Sequence, residues 1–240
     1  EVAGIDFGRY HALVIGIDAY KYLPDLKTAL FDARSVAGIL KRDYGFKVTL
    51  LENPTRDDIV DKFDELRETL GYQDNLLIYY AGHGWLDEDA NRGYWLPADA
   101  KPNRRTRWIS NATLTDTLQA IQSKHVMIVA DSCFSGTLIR GANIGLKGGD
   151  YWRRMADKQA RVAITSGGLE PVVDSTGGRN SPFAAAFISA LRQNETILDG
   201  TALFIKIRRP VMVATNQTPQ YSDVRNAGHE GGDFLFVRIQ

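Results

Sequence analysis

The sequence predicts an α/β protein: a three-layer α/β sandwich with a mainly parallel central sheet. Three observations predict it. Ala12–Ile17, Leu76–Tyr80 and Val126–Ala130 are unbroken apolar runs of strand length, as expected of strands covered on both faces. Between them lie segments whose apolar residues recur at helical spacing. The alternation of the two kinds of element argues for helices layered on a parallel sheet.

Taken in order, residues 1–10 read as a lead-in arm, and Ala12–Ile17 as the first strand. A helix is expected from about Lys27 to Asp43, with Leu30, Val36, Ala37 and Leu40 on its apolar side. Val48–Leu51 is a short strand. Thr55 with Asp58 three positions on resembles a capping box, opening a helix that turns Ile59, Phe63, Leu66 and Leu70 inward. The strand ending near Tyr80 leads to a polar segment holding Gly93 to Pro97, and a helix around Leu114–Ile121 precedes the strand into Cys133. Residues 138–160, with four glycines among basic side chains, read as a long mobile loop. Arg161–Ser166 is another strand. Ser181-Pro182 opens a helix through Leu191, since proline is tolerated in a first helical turn. Leu203–Val213 reads as a further helix and Phe234–Val237 as a final strand.

At 240 residues the chain can bury a full core. Its 29 basic and 29 acidic residues balance, so no global field favours nucleic acid or an anionic membrane. A single cysteine excludes an intrachain disulfide and a cysteine-rich zinc site. No apolar stretch reaches the roughly 18–20 residues of a membrane span. The start at Glu1 suggests a processed fragment, which leaves the compartment unknown, with the cytoplasm slightly favoured.

The chemistry concentrates in two turns. Gly82-His83-Gly84 follows the second apolar run, and Asp131-Ser132-Cys133-Phe134-Ser135-Gly136 follows the third. In a parallel sheet both turns fall on one edge, where open α/β folds place their sites. A thiol and an imidazole there suggest a cysteine nucleophile with a histidine partner. The other histidines lack such a context. His11 and His125 border strands and read as structural, and His229 lies in a glycine-rich turn. No Gly-x-Gly-x-x-Gly follows the first strand, and neither a phosphate-binding Gly-x-x-x-x-Gly-Lys loop nor a Gly-x-Ser-x-Gly elbow occurs. Nucleotide-binding and serine-hydrolase readings therefore recede.

These residues resemble the caspase-like cysteine peptidases, more closely the metacaspase and bacterial caspase-homologue branch. The 50-residue separation of His83 and Cys133 fits caspases. The first strand with Asp32 after it, the Ser166 strand and the Ser181-Pro182-Phe183 helix start extend the match. The resemblance implies one peptidase domain over 1–240. About 10–137 would be the large-subunit-like part, 138–160 a flexible linker and 161–240 the small-subunit-like part. It implies Cys133 as nucleophile and His83 as proton donor to the leaving amine, with an oxyanion hole from the backbone N–H groups of Gly84 and Cys133. Glycine suits that position because it lets a carbonyl approach the backbone.

The substrate-binding residues would be Asp32, Asp131 and Ser166. By the strand's period of two, Asp131 shares a face with Cys133. The resemblance implies that protein or peptide substrates are cut after Arg or Lys, because metacaspases select those residues with an acidic pocket whose two carboxylates map onto Asp32 and Asp131. Two confined carboxylates repel one another unless a cation joins them. No cofactor is implied, nor a nucleic-acid or membrane partner, and the expected state is a monomer. The metacaspase calcium site has Ser110-Asn111 where an adjacent aspartate pair is usual, so calcium-independent activity is expected and no metal site is assigned; Asp87, Glu88 and Asp89 read as a solvated loop. Arg140, Lys147, Arg153, Arg154 and Lys158 make the 138–160 segment a candidate for self-processing. The competing reading is a non-catalytic caspase-like scaffold that recruits partners.

Overall fold

The computed structural model describes residues 4–132, 139–140, 149–167 and 179–239. In chain order the first half is β1 (Arg9–Gly16), α1 (Ala29–Tyr44), β2 (Lys47–Glu52), α2 (Arg56–Thr69), β3 (Asp74–Ala81), β4 (Gly84–Asp87), β5 (Arg92–Trp95), a 3-10 turn (Arg105–Arg107), β6 (Ile109–Ser110) and α3 (Asn111–Ala120). The second half is β7 (His125–Asp131), β8 (Ile139–Arg140), α4 (Gly149–Asp157), β9 (Ala160–Thr165), α5 (Pro182–Arg192), β10 (Ile197–Asp199), α6 (Gly200–Ala214), β11 (Gln220–Val224) and β12 (Leu235–Val237).

Seven strands form the central sheet in the order β2-β1-β3-β7-β9-β11-β8. The first five are mutually parallel, and β11 and β8 close the far edge antiparallel. The strands alternate between two cores. Val14, Tyr79, Val129 and Ile164 face α1, α5 and α6, where Val36, Phe183, Phe187 and Leu203 meet them. Leu13, Ile78, Ile128 and Ala163 face α2 and α3, meeting Ile59, Phe63, Leu114 and Leu118. This is the three-layer sandwich, and burial on both faces explains the unbroken apolar runs. Because the register is fixed, Asp131 at the end of β7 lies in line with Ala81 at the end of β3 and on the α1/α5 face.

Local chemistry sets the helix ends. The Thr55–Asp58 capping box forms in both directions at α2. Gly45 ends α1 at φ 67°, a left-handed conformation that favours glycine. Ser181 caps α5, with Pro182 in the first turn. At the sheet's lower end the buried Arg161 donates to the carbonyls of Leu118, Ile121, Lys124 and Ala160, closing the open end of α3. The histidines read as structural have fixed partners. His11 Nε2 lies 3.0 Å from Asp74, and His125 Nδ1 lies 2.6 Å from Asn75. His229 Nδ1 accepts the Arg161 N–H between two glycines at positive φ.

Two expectations need correction. The segment expected to be a long mobile loop over 138–160 contains the β8 pairing and α4. Tyr151, Trp152, Met155 and Ala156 make a short apolar stripe along α4, and the Tyr151 hydroxyl donates to Asp199 at 3.1 Å. His125 Nε2 also sits 3.2 and 3.1 Å from the Met155 and Lys158 carbonyls, holding the helix's C-terminal end. The polar segment after His83 folds into a second sheet, β4-β5-β6. The expected final strand forms as β12, which pairs with β10 in a two-stranded ribbon outside the central sheet. No helix among the described residues is long and apolar enough to cross a membrane.

Candidate active site

His83 lies just beyond β3 in a turn that admits little variation. A Cβ on Gly82 would come within 2.8 Å of both the Tyr20 and Tyr80 hydroxyls, so glycine is required there. The Gly82 N–H reaches the Asp131 carbonyl at 3.4 Å, tying the turn after β3 to the end of β7. The His83 N–H donates to the Tyr20 hydroxyl at 2.7 Å, and the two rings pack with centroids 4.6 Å apart. Tyr20 and Pro24 belong to the loop after β1. Asn53 shapes that loop by accepting the Asp18 and Ala19 N–H groups on its side-chain oxygen.

The His83 Nε2 atom lies 2.8 Å from the Pro24 carbonyl. A carbonyl can only accept, so Nε2 carries the proton and Nδ1 is the basic nitrogen of the neutral ring. Gly84 begins β4 opposite Trp95, and the Leu96 N–H donates to the His83 carbonyl at 3.0 Å. That bond makes Gly84–Trp95 a pair without mutual hydrogen bonds, so the Gly84 N–H points away from β5. A basic nitrogen and an outward backbone donor thus stand one residue apart.

Asp32 and Asp131 meet at the first turn of α5. Asp32, in the first turn of α1, accepts from Asn180 Nδ2 at 2.7 Å and from the Ser181 N–H at 3.2 Å. Asp131 accepts from the Ser181 hydroxyl at 2.5 Å, while that hydroxyl takes the Ala184 N–H at 3.0 Å. Both carboxylates are buried, at 1% and 4% exposure. Among the described residues no basic side chain lies within ion-pair distance of Asp32. Burial pushes the Asp32 carboxyl up to about 6 from its usual 3.8, against the opposing hydrogen bonds from Asn180, Ser181 and Thr28. Tyr79, fully buried beneath them, has its hydroxyl pKa raised well above the usual value, first by desolvation and then by the charges of Asp32 and Asp131. The two carboxylates therefore share one low-dielectric neighbourhood.

Ser166 follows β9, with its N–H on the Ala130 carbonyl at 3.0 Å and its buried hydroxyl without a partner among the described residues. The structure thus brings Asp32, Asp131 and Ser166 to the same sheet edge as His83 and Gly84. Cys133 lies outside the described residues, and β7 ends two residues before it. Sequence reasoning missed Tyr20, Pro24, Asn180 and the bridging role of Ser181. Only Ser181 left a trace, as the residue before Pro182. Metal ligands do not gather: among the described residues no three His, Cys, Asp or Glu side chains form a cluster that could hold an ion. Ser110 is engaged in capping α3, and Asp87 pairs with Arg105 at 3.1 Å.

The caspase-domain family model matches residues 9–228. Metacaspase-1 of Pyricularia oryzae is 28% identical over 151 residues, which span 55% of this chain and 38% of that protein. The human mucosa-associated lymphoid tissue lymphoma translocation protein 1 is 29% identical over 123 residues, 51% of this chain and 15% of that protein. The match thus covers well under half the length of either relative. Among solved structures, caspase-1 of Spodoptera frugiperda superposes with a TM-score of 0.66 at 15% identity, over 90% of this chain and 89% of that one. A Geobacter sulfurreducens protein superposes at 0.63 with 18% identity, over 90% and 93%. Those two likenesses speak to the fold, and the family match adds membership: the chain belongs to the caspase-domain family.

Proposed function

We propose that the chain is a cysteine endopeptidase that cuts protein or peptide substrates after Arg or Lys, with Cys133 and His83 as its catalytic pair. The observation that carries this reading is the geometry of His83. Its Nε2–H is committed to Pro24, which leaves Nδ1 to exchange a proton, and the neighbouring Gly84 N–H is turned outward. In the reaction the Cys133 thiol passes its proton to His83 Nδ1 as its sulfur bonds to the scissile carbonyl carbon. The carbonyl oxygen takes up negative charge facing the backbone N–H groups of Gly84 and Cys133. As the C–N bond breaks, His83 gives its proton to the departing amine. It then takes one from the water that hydrolyses the thioester, and the thiol is restored.

Specificity follows from the acidic pair. Burying Asp32 and Asp131 together is costly, and a guanidinium or ammonium entering beside them would offset that cost. Ser166, whose buried hydroxyl has no partner among the described residues, would complete the substrate pocket. The test is covalent capture. A peptidyl chloromethyl ketone ending in Arg should alkylate Cys133, with the adduct located by mass spectrometry, and an Asp-ended analogue should not. Labelling by the Asp reagent alone would sink the specificity reading, and labelling by neither would favour a non-catalytic scaffold.

A further inference from the structure

His83 has an aromatic and basic surface beside it that the chemistry above does not use. Trp85, two residues on, is 39% exposed. Its ring packs on Trp108 at 5.1 Å and Tyr94 at 6.2 Å, so an exposed indole stands on a buried aromatic base. The Trp108 Nε1–H donates to the Lys101 carbonyl at 3.1 Å, which continues the surface into the exposed segment 101–107. There Lys101 Nζ lies 5.0 Å from the Tyr22 ring, and Lys21 Nζ lies 5.3 Å from the same ring. Tyr22 is 41% exposed, on the loop that holds His83 through Tyr20 and Pro24.

The charge on this surface is uneven. Arg105 is paired with Asp87, and Arg107 with Asp57 and Asp99. Among the described residues Lys21, Lys101 and Arg104 have no carboxylate within ion-pair distance. The nearby acids are Asp25, whose carboxylate accepts the Tyr20 N–H, and Glu88 and Asp89 at the hairpin tip, the end of β4 away from Gly84. Lys21 and Lys101 at the Tyr22 ring and the exposed indole of Trp85 thus lie on the segments around His83, with Arg104 bridged to Lys101 beyond them.

We propose that this surface binds the leaving-group side of the substrate. An apolar residue just after the scissile bond would lie on Trp85, with carboxylates a few residues further on meeting Lys21, Lys101 and Arg104. The inference rests on the peptidase reading, because His83 must stand over the departing amine. The acidic pair meets at Ser181 on the α1/α5 face of the sheet, whereas Tyr20, Tyr94 and Trp108 pack on the opposite, α2/α3 face. The departing segment therefore runs the other way across the sheet edge, over β4 and the loop after β1. Charge complementarity selects the carboxylates, and the exposed indole selects the apolar residue.

The test uses internally quenched peptides with Arg before the scissile bond and either acidic or basic residues after it. The wild type should cleave the acidic series about tenfold better, as expected for several partly screened charges. Lys21→Glu with Lys101→Glu should reduce that preference to below about twofold. Trp85→Ala should erase the preference for Leu over Gly directly after Arg. An unchanged preference in these variants, or a wild type indifferent to the tail, overturns the inference while cleavage after Arg stands. A wild type that cleaves neither series breaks the peptidase reading instead. A measurement free of catalysis separates the two failures: a fluorescent acidic peptide matching the leaving-group segment should bind Cys133→Ala protein, and the charge-reversed double variant should bind it at least about fivefold more weakly. Equal binding by both proteins, or none by either, overturns the surface assignment.

Discussion

Replacing Asp32 with asparagine should stabilise the protein at alkaline pH and disable it. The Asp32 carboxyl titrates near 6 in the fold against an ordinary 3.8. That difference corresponds to about 3 kcal/mol of cost once the group is ionised in both states. The folded protein holds this proton more tightly than the unfolded chain does. Stability from this site is therefore retained below about pH 4 and falls as pH rises through about 6. The replacing amide would carry no charge and could keep its oxygen toward Asn180 Nδ2 and the Ser181 N–H. It would disturb the contact with Thr28, worth about 1 kcal/mol. The net expectation is about 1–2 kcal/mol of added stability at pH 8 and no gain at pH 4. Urea unfolding of wild type and Asp32→Asn at the two pH values measures it directly. A variant less stable at pH 8, or a gain equal at both pH values, would refute the argument that burial of this charge is costly. Under the proposed function the same variant should lose most cleavage after Arg and Lys, so stability and activity would move in opposite directions.

Three other outcomes are expected. Tyr20→Phe keeps the ring against His83 but removes the acceptor 2.7 Å from its N–H; it should cost about 1–3 kcal/mol in thermal unfolding and lower kcat/KM about tenfold by loosening the imidazole. Arg161→Met takes the guanidinium donors from the Leu118 and Ile121 carbonyls at the end of α3 and from the Lys124 and Ala160 carbonyls beside it, and should cost about 3 kcal/mol or more in a denaturant titration. Self-cleavage of the wild type, read by mass spectrometry of the fragments, should spare the bonds after Arg153 and Arg154, which lie within α4. Ala156→Pro, which breaks that helix at a buried position, should make those bonds cleavable.

What the sequence revealed depended on how local the signal was. β1, β3 and β7 were legible because strands buried on both faces must be apolar throughout, and the two turns beyond them carry recognisable residues. The capping box at Thr55 and the start of α5 were legible because caps act within three residues. The stripe of α4 was hidden, since four residues among glycines and basic side chains give too short a period to read. Strands β4 to β6 escaped because each is four residues or fewer and gains meaning only from its partners. The chemistry around the acidic pair was least legible. Asp32 and Ser181 meet across 149 positions, and His83 reaches Pro24 across 59. No periodicity encodes contacts at that range. They arise only after the sheet has brought the ends of its strands together, which is why Tyr20, Pro24 and Asn180 passed unnoticed.

The most direct test of the proposed chemistry is hydrolysis of matched fluorogenic peptides ending in Arg, Lys or Asp, by wild type and by Cys133→Ala, with and without calcium. The predicted result is cleavage after Arg and Lys, independent of calcium and abolished in the variant. Cleavage after Asp, or activity that survives loss of the Cys133 thiol, would contradict it.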